Sequence, residues 1–256
     1  MQHKLTFLHQ NRPLNTCMIQ KRTALEVLNC IRGGAFDGCD AFGLQMCKLE
    51  EEYRTDKHLQ AIFREMGPRP CYVTNYRGHL NGNKKTDEEL EQELLHALSC
   101  GATLLDITGD HYAPDPNQVT HDSTAIDRQM TLIEDIHRRG GEVLMSSHVL
   151  RYAPAEEVLD IAREHQRRGA DISKIVTAAN SVEEEMENLR ITSLLKKELD
   201  IPFLFLAGGS HNKLHRTVGP LIGCAMWLTV HEYDDLSTRS QPATSAITAI
   251  RDHFDY

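Results

Sequence analysis

Residues 142–177 read EVLMSSHVLRYAPAEEVLDIAREHQRRGADISKIVT. A β-rich run, Glu142–Ser147, is followed by a helix-patterned segment, Pro154–Arg168, and by a second apolar run, Ile172–Thr177. Pro154 suits the first turn of a helix, where its missing N–H would have had no partner anyway, and Gly169 suits the end. The two runs are nearly all apolar, as expected of parallel strands covered on both faces. The stretch reads as a strand–helix–strand unit, the helix carrying the chain back to the start of the next parallel strand.

The same alternation extends in both directions. The runs Asn15–Gln20, Ala41–Cys47, Cys71–Asn75 and Thr103–Thr108 precede this unit, and Phe203–Ala207 and Cys224–Val230 follow it. Helical patterns lie between them. Thr23–Arg32 reads as a helix stopped by Gly33-Gly34. Asp56–Met66 carries Leu59, Ile62, Phe63 and Met66 on one face. Thr86 and Glu89 form a capping box opening a helix that runs to Gly101, and Ser181 with Glu184 forms another, opening a helix that runs to about Leu199. Asp122–Arg139, His211–Ile222 and Thr244–Phe254 complete the set. Eight strand-then-helix units predict an α/β fold, a (β/α)8 TIM barrel, with residues 1–256 as a single domain. A doubly wound open sheet usually carries a Gly-rich phosphate turn after its first strand, and Gln20-Lys21-Arg22 is not one. No Pro/Ser-rich linker divides the chain.

Composition narrows the function. The 256 residues are 40% hydrophobic and 25% charged, with 28 Lys and Arg against 37 Asp and Glu, a net charge of −9. An acidic chain without a basic stripe is a poor partner for nucleic acid or an anionic membrane. No apolar stretch approaches the roughly 20 residues that span a bilayer, and no secretory h-region follows Lys4, so a cytoplasmic protein is expected. The seven cysteines are scattered with no C-x-x-C pair, which argues against structural zinc and thioredoxin chemistry.

In a barrel of this kind chemistry sits at the C-terminal ends of the strands. Lys174 lies inside the apolar sixth run; a lysine desolvated at a barrel mouth loses basicity and can attack a ketone to form a Schiff base. The same pattern also suits a strand-margin lysine reaching to solvent. His148 follows the fifth run and is placed to shuttle protons near neutral pH, or to serve as a hydrogen-bonded rim histidine. Ends of adjacent strands lie close together, so both side chains could reach one substrate carbon. Arg216, after the seventh run, offers a bidentate fork for a carboxylate or phosphate, or a surface charge. Gly208-Gly209-Ser210 suits a phosphate turn or a plain tight turn, and Glu183-Glu184-Glu185 reads as a solvated helix start. His9, His111, His121, His211 and His231 could join Asp106, Asp110 or Glu232 around a metal, but neither H-x-H nor H-E-x-x-H spacing occurs, and no metal or cofactor is expected.

These segments resemble the type I 3-dehydroquinate dehydratases. Ser147-His148-Val149 through Thr-Pro-like Ala153-Pro154 resembles that family's His motif with its His-to-Pro spacing kept. Gly169-Ala170-Asp171-Ile172-Ser173-Lys174-Ile175 resembles the Gly-Ala-Asp-Ile-x-Lys-Ile motif that carries its Schiff-base lysine. Arg216 through Gly219 and Gly223 resembles the stretch whose arginine holds the substrate carboxylate, and Ser240-Gln241-Pro242-Ala243-Thr244 resembles a worn Ser-Ala-Pro-Gly-Gln lid. The resemblance is sharpest from about Glu142 to Gly223. It implies a (β/α)8 barrel, catalytic roles for Lys174 and His148, carboxylate binding by Arg216, a small hydroxy-carbonyl substrate and a homodimer.

The departures are equally specific. The second-strand Glu-x-Arg-x-Asp falls at Gly43, Gln45 and Cys47; the third-strand Arg falls at Tyr76, beside Arg77; the fourth-strand Asp-x-Glu becomes Asp106-Ile107-Thr108; the lid Gln falls at Thr244. Loss of the fourth-strand carboxylate removes the group that orients the histidine, for which Asp106 and Thr108 are the candidates. Replacement substrate contacts are expected from Gln45, Tyr76, Arg77, Thr108, Ser240 and Thr244. A site built for hydroxyls and a carboxylate rarely tolerates such losses without a change of substrate. The expected activity is thus a Schiff-base carbon–oxygen lyase, dehydrating or hydrating a hydroxy-carbonyl acid, with 3-dehydroquinate one candidate. A metal-dependent barrel hydrolase and a non-catalytic barrel binding a small acid are the alternatives.

Overall fold

The computed structural model describes residues 6–78 and 85–254. Among them eight strands alternate with eight α-helices: β1 (Leu14–Ile19), α1 (Ala24–Phe36), β2 (Ala41–Gln45), α2 (Asp56–Glu65), β3 (Cys71–Thr74), α3 (Asp87–Cys100), β4 (Leu104–Thr108), α4 (Ser123–Arg138), β5 (Glu142–His148), α5 (Ala155–Arg167), β6 (Ile172–Ala178), α6 (Val182–Glu198), β7 (Phe203–Gly208), α7 (Lys213–Ile222), β8 (Met226–Thr229) and α8 (Thr244–Arg251). Every run expected from the apolar pattern is a strand. No helix of the described residues is long and apolar enough to cross a membrane. All seven cysteines are buried, and none forms a disulfide.

The chain divides into two compact units, one built from Leu14–Asp106 and the chain from Leu228 onward, the other from Ile107–Trp227. In the first, neighbouring strands follow the order β8-β1-β2-β3-β4. Its pairs are parallel, with Thr16 opposite Ala41, Phe42 opposite Cys71 and Tyr72 opposite Leu104. In the second the order is β4-β5-β6-β7, with Ser146 opposite Lys174 and Lys174 opposite Leu204. Strands β1, β2, β3, β4 and β6 are buried at every residue, as parallel strands flanked by helices must be.

Caps set the helix starts. Thr23 and Thr86 each accept the N3 amide while Glu26 and Glu89 reach back to the cap N–H. Ser181 caps α6 alone: it accepts the Glu184 amide (3.2 Å), but the Glu184 carboxylate takes the amide of Asn180 (2.7 Å). Glu185, expected in a solvated turn, is buried and accepts the His215 amide (3.2 Å).

One boundary differs from the expectation in kind. Helix α1 runs through Gly33-Gly34 to Phe36 rather than stopping there. These glycines serve close approach: a Cβ on Gly33 would overlap the His231 ring, and one on Gly34 would sit 2.8 Å from Cys17 Sγ. His231 in turn bonds Asp37 Oδ2 through Nδ1 (2.6 Å). The pair was chosen for the missing side chain, not for backbone freedom.

Candidate active site

In the second unit the parity of the strands decides where each side chain goes. Ser147 on β5 and Ser173 on β6 both bond His165 on α5, at 2.9 and 3.0 Å, so they face the helix. Phe205 on β7 stacks edge-on against His215 of α7, with centroids 5.0 Å apart. The intervening residues therefore lie on the opposite sheet face: His148 on β5 and Lys174 on β6. Lys174 is only 4% exposed. Its register partner is Ser146, and His148 pairs two residues further along, with Val176. With strands about 4.8 Å apart and a rise of about 3.3 Å per residue, the two Cα atoms lie about 8 Å apart, with both side chains on one face.

The His148 ring is held from the β4–α4 connection. Gln118 Oε1 accepts from His148 Nδ1 (2.6 Å) and from the His148 backbone amide (3.1 Å). A backbone N–H can only donate, so the atom is the amide oxygen, and Nδ1 carries the proton. In the neutral ring the lone pair then resides on Nε2. Gln118 itself takes a left-handed backbone (φ 52°). Its carbonyl accepts the Ser147 hydroxyl (2.7 Å).

That bond orders a buried chain of donors. Ser147 has spent its only proton on Gln118, so His165 Nε2–H donates to Ser147, and with the ring neutral Ser173 O–H donates to His165 Nδ1. His165 thus ties the residue before Lys174 to the residue before His148. Gly109 makes room: a Cβ there would lie 2.7 Å from Gln118 O, 3.0 Å from Ser147 Oγ and 3.1 Å from His165 Nε2. Arg168, fully buried, clamps the same connection, donating to the carbonyls of Gly109 (2.7 Å) and Thr120 (2.7 Å), to Gln129 (2.8 Å) and to Glu164 (2.8 Å). The fork of Arg167 (2.7 and 2.6 Å) and, after it, the bond from Arg168 hold the Glu164 carboxylate down to about 2.

Arg216 on α7 is 7% exposed. Its Nε donates to the Ala207 carbonyl (2.6 Å) at the end of β7, and it forms no ion pair among the described residues. Burial alone lowers its guanidinium to about 10. A buried cation without a carboxylate is costly and suits an anionic guest. Thr108 is buried at the end of β4, and its carbonyl accepts the His111 amide (3.0 Å). Gly208-Gly209 forms a tight turn: Gly209 has φ 81°, a Cβ on it would overlap the Ala179 carbonyl, and its own carbonyl accepts from Asn212 Nδ2.

In the first unit most of the remaining candidates are engaged by the scaffold. Tyr76 donates to Asp106 (2.5 Å), as does Tyr72; burial first, then that carboxylate, holds both phenols protonated well above their ordinary range. Arg77 places its fork on Asp87 at the start of α3 (2.5 and 2.6 Å). Thr244 is fully buried with its hydroxyl against Thr229 (3.0 Å) in the packing of α8. Gln45 accepts from Gln20 (2.7 Å), whose amide also binds Thr238. Ser240 is half-buried in the segment before α8, next to buried Gln241, whose Oε1 has no partner among the described residues. At Gly43 a Cβ would overlap Met18 Sδ, so the methionine fills the room a longer side chain would need. Among the described residues, the histidine, cysteine and carboxylate set whose ligand atoms come within 4.8 Å of one another is Asp56, His96 and Cys100, on α2 and α3, and it includes none of the histidines considered from sequence.

Gln118 and Gly109 were missed from sequence because both lie in the β4–α4 loop, 30 and 39 residues before His148, and neither carries a motif. The only signal was Gly109 directly after the β4 run.

A family model described as type I 3-dehydroquinase matches residues 18–255. A 3-dehydroquinate dehydratase of Alkaliphilus oremlandii is 32% identical over 169 residues, 64% of this chain and 61% of the relative. One of Klebsiella pneumoniae is 26% identical over 80% of each chain. Among solved structures, the 3-dehydroquinate dehydratase of Geobacillus kaustophilus superposes with a TM-score of 0.79 at 17% identity, covering 96% of this chain and 93% of that one. The type I enzyme of Clostridium difficile, solved with covalently modified comenic acid, gives 0.79 at 15% identity, over 99% and 98%. The fold is the expected (β/α)8 barrel.

Proposed function

The chain belongs to the type I 3-dehydroquinase family, and from that premise we propose that it is a Schiff-base lyase that dehydrates a hydroxy-carbonyl acid. The observation that carries the reading is the burial of Lys174 on the sheet face it shares with His148. Lys174 Nζ attacks the substrate ketone, and the carbinolamine loses water to give an iminium. The iminium draws electrons from the adjacent carbon, and His148 Nε2 removes that carbon's proton to leave an enamine. The enamine expels the β-hydroxyl, which leaves as water with the proton from His148. A second water hydrolyses the iminium, releasing the enone and restoring the amine. Arg216 holds the substrate carboxylate, and its lack of an acidic partner among the described residues supports that role.

The departures at Gly43, Gln45, Cys47, Tyr76 and Thr244 support a substrate whose hydroxyl pattern differs from that of 3-dehydroquinate. Family resemblance further supports a cytoplasmic homodimer, which light scattering checks for oligomeric state. The test of the chemistry is a panel of cyclic hydroxy-ketone acids, 3-dehydroquinate included, followed by enone absorbance and trapped with borohydride. The expected result is a reduced adduct on the Lys174 peptide and no turnover by Lys174→Met. Turnover without any adduct overturns the imine step. A clear preference for 3-dehydroquinate over every other member overturns the substrate reading alone.

A further inference from the structure

We infer that Gln118 is the positioning residue for the general acid/base, its amide oxygen holding His148 in the Nδ1-protonated tautomer. The inference rests on the proposed lyase reading for its catalytic consequence, but not for its geometry.

Three observations converge on it. First, Oε1 receives two donors from one residue, the ring Nδ1–H and the main-chain N–H of His148 (2.6 and 3.1 Å), which fixes both the ring's azimuth and its tautomer. Second, the loop that presents Gln118 is built at some expense. Its left-handed backbone is unusual outside glycine and asparagine. A glycine at 109, a buried arginine at 168 and the Ser173–His165–Ser147 chain all converge on the Gln118 carbonyl or on the carbonyls of the same connection. Third, the end of β4, where the related enzymes are expected to place an orienting carboxylate, offers Thr108 instead.

An amide in place of a carboxylate has a chemical consequence. A neutral acceptor fixes the tautomer as well as a charged one does, but it stabilises the imidazolium less. His148 is therefore kept a weaker base than a carboxylate partner would make it. Charged groups of the same unit include Lys174, on the same face of β6 as His148, and Asp110, Asp115 and Arg151 in the connections that follow β4 and β5. The carboxylates of Asp110 and Asp115 accept loop amides (3.0 and 2.8 Å), and Arg151 pairs with Glu157. Gln118 is the group among these that bonds Nδ1.

Two near-isosteric variants test the role. Gln118→Glu keeps both acceptor bonds and adds a charge; Gln118→Leu keeps the volume and removes them. Leu tolerates the backbone, since Leu150 takes φ 58° in this same protein. Long-range 1H–15N spectra of the histidine ring, needing no substrate, should show Nδ1 protonated and Nε2 bare in wild type and a tautomer mixture in Gln118→Leu. The His148 titration should move up by about one unit or more in Gln118→Glu. With any substrate that the panel identifies, Gln118→Leu should lose about 10- to 100-fold in kcat with KM little changed. Gln118→Glu should recover activity, with its acid limb shifted upward by the same amount as the titration. If ring tautomer and titration are the same in all three proteins, Gln118 does not position His148, whatever the turnover. If no panel member reacts while the spectra change as described, the lyase reading fails and the positioning role stands.

Discussion

Replacing Arg216 by methionine should make the ligand-free protein more stable and the site worse. Burial lowers the guanidinium from 12.5 to about 10. At about 1.4 kcal/mol per pH unit, the folded state bears about 3 kcal/mol for keeping that charge. The penalty applies at every pH below about 10, where the group stays protonated in both states. The Nε bond to the Ala207 carbonyl works the other way, and a charged hydrogen bond of this kind contributes about 1.5 kcal/mol. Methionine keeps an apolar stem of similar reach, so roughly 2 kcal/mol should remain in its favour. For a chain of this size that is a rise in Tm of about 4–8 °C. The same substitution removes the carboxylate's partner, and a loss of about 3 kcal/mol corresponds to a drop of about 10²-fold in kcat/KM. Thermal melts by circular dichroism read the first effect and steady-state kinetics on a reactive panel member the second. Such opposed changes mark a residue kept for function at the expense of stability. A Tm lowered by several degrees would refute the reasoning, because it would mean that the protein itself satisfies the charge.

Gly109→Ala should destabilise by about 1–3 kcal/mol through overpacking against Gln118 O, Ser147 Oγ and His165 Nε2. Adding Ser147→Ala relieves one of these contacts, so a double-mutant cycle in urea should show coupling of about 0.5 kcal/mol or more; strict additivity would argue against the buried chain. The fully buried His215 donates from Nε2 to Thr192 (2.9 Å), since the Thr192 proton goes to Asn188 O, and its Nδ1 has no partner among the described residues. Burial, then Arg216, pushes its pKa down to about 3. Below about pH 6.5 the unfolded chain takes up a proton that the folded one refuses, so stability present above that pH is lost, at up to about 1.4 kcal/mol per unit, as pH falls towards 3. Urea midpoints from pH 7 to 4 should fall less steeply in His215→Asn; parallel slopes would contradict this assignment.

The candidate site was legible where chemistry rides on regular strands. Lys174 stands inside the sixth run and His148 directly after the fifth, and the alternation of side chains along paired strands sends both to one face. Arg216 was a candidate by its place after the seventh run, but its burial without an acidic partner among the described residues was not legible. Thr244 and Arg77 were read as substrate contacts from sequence position. The structure finds the Thr244 hydroxyl in the packing of α8 and the Arg77 fork on Asp87. A side chain's type tells what it can bond, whereas its partner depends on which distant atom arrives first.

The eight strands, the eight helices and the Thr86–Glu89 capping box followed from local physics: hydrophobic period, capping-box spacing and buried parallel runs. The same letters misled at Gly33-Gly34, because a glycine that frees a backbone and one that admits a neighbour are written alike. Gln118 lies 30 residues before His148 in a loop with no periodicity, and only folding brings its amide to the ring. The positions of strands are set by residues near one another in sequence. Proton placement on a histidine is set by a partner at hydrogen-bonding range, and for His148 only the tertiary structure supplies that range.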